Sequence, residues 1–254
     1  MLVSVLASGS KGNSTLIKTK EYNLLIDAGM TTKYLENALR KHEMLLSEID
    51  YIFITHTHSD HVNALKTLTK RYNPTIVMSS SMLEDLKYLK DYENIEIIND
   101  TLNIGNILIE VIPTSHDTND SNGYVITKDN KSIVYITDTG YIHQKHFPKL
   151  TNKSIYIFES NFDPEMLSYG KYPRRLQRRI LSPTGHLSNQ DSASYLSRLI
   201  GPNTKKIILA HLSQDNNKKE IALETLEKTF KEKDINFTNI LIAEQDNVTE
   251  LIEI

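Results

Sequence analysis

Short runs of apolar, largely β-branched residues recur along the whole chain: Leu2 to Leu6, Thr15 to Ile17, Asn23 to Ile26, Tyr51 to Ile54, Thr75 to Met78, Ile95 to Ile98, Ile107 to Ile112, Tyr124 to Thr127, Ser132 to Ile136, Ile155 to Phe158, Lys206 to Leu209, Ile240 to Ala243 and Glu250 to Ile254. Runs this short and this rich in valine and isoleucine predict strands. Between them, apolar residues return at helical spacing: Tyr34, Leu35, Ala38 and Leu39; Leu65, Leu68 and Tyr72; Leu83, Leu86 and Leu89; Ala222, Leu223, Leu226 and Phe230. The runs flanking Asp129-Asn130-Lys131 predict an antiparallel hairpin, and the longer helical crossovers predict sheets covered on their outer faces. Four layers with two central sheets, an α/β fold, accommodate this pattern. No repeat, low-complexity linker or Pro/Gly/Ser-rich boundary divides the chain, so a single domain over residues 1–254 is expected.

Composition narrows the chemistry more than the fold. With 254 residues the chain can bury a large core without disulfide support, and it has no cysteine. Thiolate nucleophiles, iron–sulfur clusters and thiolate-bound structural zinc are therefore excluded. The net charge of −3 argues against a general nucleic-acid coat. Neither a basic leader nor an apolar run long enough to span a bilayer occurs, which predicts a cytoplasmic protein with no membrane partner. One stretch departs from the near-neutral background. Lys171-Tyr172-Pro173-Arg174-Arg175-Leu176-Gln177-Arg178-Arg179 carries five cations in nine positions and no acid, with Arg174 and Arg178, and Arg175 and Arg179, at helical spacing.

The strand at Tyr51 to Thr55 runs directly into His56-Thr57-His58-Ser59-Asp60-His61, after which a helical pattern starts at Val62. Imidazole and carboxylate are the ligands that a borderline divalent cation takes. His56 and His58 point to one side of an extended segment, whereas Asp60 and His61 lie at the turn and reach a neighbouring point, which suggests two metals. Further ligands must come from elsewhere. His116, Asp138 and His211 are each the first strong ligand after an apolar strand. His42, on an apolar helical stripe, and His143 and His146, in a loop, are expected to be structural or surface residues.

His56-x-His58-x-Asp60-His61, preceded by Leu24-Leu25-Ile26-Asp27-Ala28-Gly29 and followed in order by His116, Asp138 and His211, resembles the metallo-β-lactamase fold superfamily. Ala7-Ser8-Gly9-Ser10-Lys11-Gly12-Asn13-Ser14, Tyr172-Pro173-x-x-Leu176-x-x-Arg179-Ile180 and Gly185-His186-Leu187-Ser188-Asn189 resemble its YycJ (WalJ) branch of bacterial metallohydrolases. The resemblance implies a four-layer αββα sandwich with the site at one edge of the sheets. It also implies a nuclease-like activity, 5′ exonuclease action on DNA with an accessible end. Carried over by position, it places His56, His58 and His116 at one metal, Asp60, His61 and His211 at the other, and Asp138 between them. Asp27 resembles the carboxylate that orients one of the histidines through its ring N–H.

Two divalent ions about 3.5–4 Å apart can share a hydroxide that attacks phosphorus, with Asp60 or Asp138 accepting its proton. Zn²⁺, Mn²⁺ and Fe²⁺ all suit the nitrogen and oxygen ligands. His186, ahead of a helix that Ser188 or Asn189 can cap, is the candidate acid for the leaving oxygen or ligand for the scissile phosphate. Arg174, Arg175, Arg178 and Arg179 are candidate phosphate contacts, as are Ser10 and Asn13 in their glycine-flanked loop. The competing expectations are a metallohydrolase of small thioesters or lactams, and a metal-binding regulatory protein without catalysis.

Overall fold

The computed structural model describes residues 1–254. Fourteen strands form two seven-stranded sheets. The first contains β1 (Leu2–Ala7), β2 (Ser14–Lys18), β3 (Asn23–Ile26), β4 (Tyr51–Phe53), β5 (Thr75–Met78) and β6 (Ile95–Ile97), and its outer neighbour to β1 is the last strand of the chain, β14 (Ile252–Glu253). The second contains β7 (Thr101–Ile104), β8 (Ile107–Pro113), β9 (Asn122–Lys128), β10 (Lys131–Ile136), β11 (Ile155–Glu159), β12 (Lys206–Ala210) and β13 (Ile240–Ile242). The helices are α1 (Thr32–Arg40), α2 (Ser59–Val62), α3 (Leu65–Arg71), α4 (Ser80–Asp85), α5 (Phe147–Leu150), α6 (Pro164–Tyr169), α7 (Arg174–Ile180), α8 (Asn189–Leu199) and α9 (Lys219–Glu232). None is long and apolar enough to cross a membrane.

The chain divides into two compact units whose segments interleave along the sequence: Met1–Leu102, Thr118–Asn122 and Glu244–Ile254 in one, Asn103–Asp117 and Gly123–Ala243 in the other. In the first unit, β14, β1, β2 and β3 pair antiparallel, then β3, β4, β5 and β6 run parallel. One face of this sheet, including Leu6, Leu16, Leu25, Ile52, Ile76 and Met78, packs against Leu35 and Leu39 of α1, Leu65 and Leu68 of α3, and Met82 of α4. In the second unit, β9 and β10 form an antiparallel hairpin, and β10, β11, β12 and β13 are parallel. Val134, Ile136, Tyr156, Phe158, Ile207 and Leu209 pack there against Ala193, Leu196 and Leu199 of α8 and Ala222, Leu226 and Phe230 of α9. The alternate residues, Leu24, Ile26, Phe53 and Val77 in one sheet and Ile133, Tyr135, Ile157 and Ile208 in the other, are also buried. The central strands of both sheets are therefore buried on both faces, which explains their near-continuous apolar runs in place of strict alternation, whereas the edge strands β6 and β7 keep exposed residues.

Local chemistry sets the boundaries. Thr31 caps α1 by accepting from the Tyr34 N–H, Asp163 caps α6 with Pro164 in its first turn, and Ser188 caps α8 by accepting from the Asp191 N–H. Asp129 and Asn130, with φ of 50° and 61°, make the two-residue turn of the β9–β10 hairpin, where Lys128 pairs with Lys131. Several elements differ from the sequence expectation: α2 starts at Ser59, ahead of the expected Val62, and His42 lies beyond the end of α1, off its helical stripe. The stripe Leu83, Leu86 and Leu89 is not one helix: α4 ends at Asp85, Leu86 leaves the helical region, and a 3₁₀ turn carries Leu89 into the same core. β7 has a half-polar Thr-Leu-Asn-Ile sequence that shows no apolar run, yet it borders β8 after a turn at Gly105, whose φ is 58°.

Candidate metal centre

In the first unit, the parallel pairing of Ile26 with Phe53 brings the ends of β3 and β4 side by side, and the Asp27 N–H donates to the Phe53 carbonyl at 2.8 Å. Asp27 follows β3 with φ of 62°, a left-handed conformation uncommon for a residue other than glycine. Its wholly buried carboxylate accepts from the Thr55 N–H at 2.9 Å, the Thr55 hydroxyl at 2.8 Å and His61 Nδ1 at 2.7 Å. Burial pushes the Asp27 carboxyl up against the pull of His61 and Thr55. Because the Nδ1 side of His61 faces this carboxylate, Nε2 is turned the other way, 3.6 Å from Asp60 Oδ2 and 3.0 Å from Asn13 Nδ2. His56 Nδ1 lies 3.1 Å from the Thr55 hydroxyl, and His56 Nε2 is 3.1 Å from His58 Nδ1. The His56 and His61 rings are 3.9 Å apart between centroids.

The backbone beneath these side chains is stapled. The Asn13 N–H donates to the Asp60 carbonyl, the Ala28 N–H to the His61 carbonyl, and the Gly29 N–H to the Asn13 carbonyl, all at 2.8–2.9 Å. Gly29 approaches so closely that a Cβ there would stand 1.6 Å from the Asp60 carbonyl oxygen. Asn13 is buried and also accepts from the Gly9 N–H at 2.9 Å, whereas Ser10 at the tip of the same loop is exposed.

In the second unit, three neighbouring parallel strands deliver the equivalent groups. Asp138 lies just past β10, Glu159 ends β11 and His211 follows β12, as the pairings of Ile136 with Phe158 and Glu159 with Ala210 require. Asp138 and His211 have φ of 54° and 57°, so, like Asp27, they leave their strands through the left-handed region. Glu159 is fully buried and accepts from His186 Nδ1 at 2.8 Å, His211 Nδ1 at 3.0 Å and the N–H groups of Thr139 and Leu187 at 3.0 and 3.1 Å. Burial alone would raise its pKa. The charge and hydrogen bond of His186 and the bond from His211 outweigh burial and hold it at about 2.

Asp138 Oδ1 is 3.4 Å from His211 Nδ1, 3.5 Å from His186 Nδ1 and 3.8 Å from His116 Nε2. Asp138, Glu159, His186 and His211 each offer one ligand atom within 4.8 Å of the others. His116 Nδ1 is 3.1 Å from the Gly185 carbonyl, so its Nε2 is the nitrogen turned toward Asp138. Burial lowers the His116 pKa, which favours the neutral imidazole that a metal takes. Asn161 holds the far side of His211, donating to its carbonyl at 2.7 Å.

α7 presents Arg174, Arg175, Arg178 and Arg179 to solvent. Arg179 pairs bidentately with Asp117, at 2.5 and 2.8 Å, and so ties α7 to the segment carrying His116. Arg174 reaches Gln177 at 3.3 Å. The three remaining histidines sit apart from these clusters: His42 bonds to the Ser4 hydroxyl at 2.8 Å, and His143 caps a short turn that contains His146.

Both clusters fit a divalent cation. Their donors are nitrogen and oxygen only, His56 Nε2 lies 3.1 Å from His58 Nδ1 in the first, and hydrogen bonds from the buried carboxylates Asp27 and Glu159 to Nδ1 orient His61 in the first and His186 and His211 in the second. Glu159 was not foreseen from sequence, nor was Asn161. Glu159 carries the signal that pointed to Asp138, a carboxylate closing an apolar strand; Asn161 has no comparable mark.

The sequence matches the model of the Beta-lactamase superfamily domain over residues 22–212. It is 36% identical to the exodeoxyribonuclease YycJ of Bacillus anthracis over 91% of this chain and 89% of that protein. It is 37% identical to the exodeoxyribonuclease WalJ of Streptococcus pneumoniae over 99% and 97% of the two chains. Among solved structures, the metallo-β-lactamase fold protein YhfI of Bacillus subtilis superposes with a TM-score of 0.72 at 18% identity, covering 98% of this chain and 99% of that one.

Proposed function

Because the chain belongs to the metallo-β-lactamase superfamily, in the branch that includes YycJ and WalJ, and is a metal-dependent hydrolase, we propose that it is a DNA exonuclease that uses two divalent ions. The observation that carries this reading is the paired arrangement of oriented ligands: each unit has a buried carboxylate at the carboxyl end of a parallel strand that fixes imidazoles by their Nδ1 edge. His56, His58 and His116 would hold one ion and Asp60, His61 and His211 the other, with Asp138 shared. A single domain over residues 1–254 belongs to the same proposal. Bound Zn²⁺, Mn²⁺ or Fe²⁺ supplies a water acidified toward about pKa 7 and a charge that offsets the phosphoryl oxygens.

The chain's own residues do the rest. Asp27 and Glu159 keep the imidazoles aligned, and Asp60 or Asp138 accepts a proton from the attacking water. His186, 2.8 Å from Glu159 through Nδ1, presents Nε2 as the acid for the leaving oxygen. Arg174, Arg175 and Arg178 contact phosphates, as does Ser10, whereas Asn13, buried and bonded to Gly9 and His61, braces the metal loop instead of reaching the substrate, and Arg179 is held by Asp117. A DNA strand with an accessible end is the substrate, read from 5′ to 3′.

Purified protein given Mn²⁺ or Zn²⁺ is expected to shorten duplex DNA from a 5′ end, as followed by oligonucleotides labelled at either end. Chelation is expected to abolish this and metal to restore it. Turnover of thioesters with DNA left intact would overturn the proposal.

A further inference from the structure

The surface of α6 and α7 carries more than arginines. A small apolar cluster of Phe162, Leu167 and Ile180, with Tyr172 and Leu176 against it, anchors the inward faces of both helices. Gln177 is buried beneath α7 and donates to the Tyr172 carbonyl at 3.0 Å, and the Tyr172 hydroxyl donates to Asp215 at 2.9 Å. The opposite side is therefore held rigidly in water. It bears Lys171, Arg175 and Arg178, exposed and with no protein partner, and from Pro164 to Leu181 the only acid is Glu165. The two most exposed large apolar side chains of the molecule, Tyr169 at 90% and Leu181 at 57%, bracket this helix.

Scattered apolar side chains are common on protein surfaces. A fully projecting tyrosine two residues from a lysine and ahead of an arginine helix is a more specific combination. An aromatic face beside a line of cations suits single-stranded nucleic acid, in which unpaired bases have faces free to stack and phosphates lie within reach of guanidinium groups. In a blunt duplex those faces are occupied by neighbouring bases.

We infer that the α6–α7 hairpin is a track for an unpaired DNA strand, with Tyr169 stacking on a base and Lys171, Arg175 and Arg178 meeting the backbone. This rests on the nuclease reading and deepens it, since it makes a frayed or overhanging strand the form that is bound. The track also leads to the proposed chemistry: the His186 N–H donates to the carbonyl of Ile180, the last residue of α7, at 3.1 Å. The Arg179–Asp117 pair fixes the same end of the helix beside His116.

The test is fluorescence anisotropy with the full-length, metal-loaded protein and phosphorothioate oligonucleotides that resist cleavage, single-stranded and as blunt duplexes of equal length. The wild type is expected to favour the single strand. Tyr169→Ala should weaken single-strand binding roughly tenfold and duplex binding less than twofold, and Tyr169→Phe should restore it. Arg175→Ala and Arg178→Ala should weaken both forms and each flatten the salt dependence by about 0.7 in log–log slope on the single strand. Lys228→Ala, at an exposed position of α9, is the charge control and should change neither. Equal affinity of Tyr169→Ala and wild type for the single strand, or equal losses on both forms, would overturn the track while leaving DNA hydrolysis and the nuclease reading intact. Wild-type protein that neither binds nor degrades DNA would remove both.

Discussion

The two units solve one problem in different ways. In the first, four potential ligands come from six consecutive residues, and a single carboxylate, Asp27, orients His61 directly and reaches the region of His56 through Thr55. In the second, His116, Asp138, His186 and His211 come from four separate loops, and Glu159 ties two of the imidazoles together. The first cluster depends on a tight turn and the second on strand register. Their buried carboxylates differ accordingly. Burial prevails at Asp27 and raises its pKa, whereas two imidazoles prevail over burial at Glu159 and lower it.

The largest expected contrast is between a candidate ligand in the first unit and the candidate acid in the second. Asp60→Ala should reduce DNA hydrolysis by roughly 10³-fold or more and lower the metal content measured by elemental analysis. His186→Ala should keep its metal and lose about 10²–10⁴ in turnover. Unchanged hydrolysis by His186→Ala would remove that residue from the chemistry.

A smaller difference should separate the two orienting networks. Glu159→Gln replaces the charge that holds two imidazoles and should weaken metal affinity roughly 10- to 100-fold, as read by competition with a chromophoric chelator. Thr55→Val removes one hydroxyl between Asp27 and His56 and should cost about tenfold at most. If the order is reversed, the second unit does not rely on its carboxylate hub.

The smallest effect is on acid stability in the metal-stripped protein. A carboxyl whose folded pKa is depressed adds stability that is present above the ordinary value near 4.5 and is lost as the pH falls toward about 2. Glu159→Gln should therefore flatten the acid limb of melting temperature against pH between those values. An acid limb as steep as that of the wild type would show that other carboxyls govern it.

The same contrast explains what could be read early. His56, His58, Asp60 and His61 are adjacent in sequence and announce themselves by density. The dispersed candidates rest on a weaker rule, a potential ligand at the end of an apolar strand, whose physical basis is that parallel strands align their carboxyl ends. That rule also covers Glu159, which closes the run Ile155-Tyr156-Ile157-Phe158. Its importance emerges only when β11 is seen between β10 and β12, since strand neighbours are separated by scores of residues along the chain. β7 escaped for a related reason: its sequence lacks an apolar run, and its pairing depends on its neighbour.

The amino-acid sequence by itself determined the alternation of short strands and helices, the absence of thiol chemistry, the imidazole-rich turn and the basic segment at Lys171 to Arg179, because each is a property of neighbouring residues. Only the tertiary structure decided which nitrogen of His61, His116, His186 and His211 faces a carboxylate or carbonyl oxygen, that Asp27, Asp138 and His211 leave their strands through the left-handed region, and that Tyr169 stands in water. These features depend on burial and on partners remote in the chain, whose positions are set by sheet order and packing.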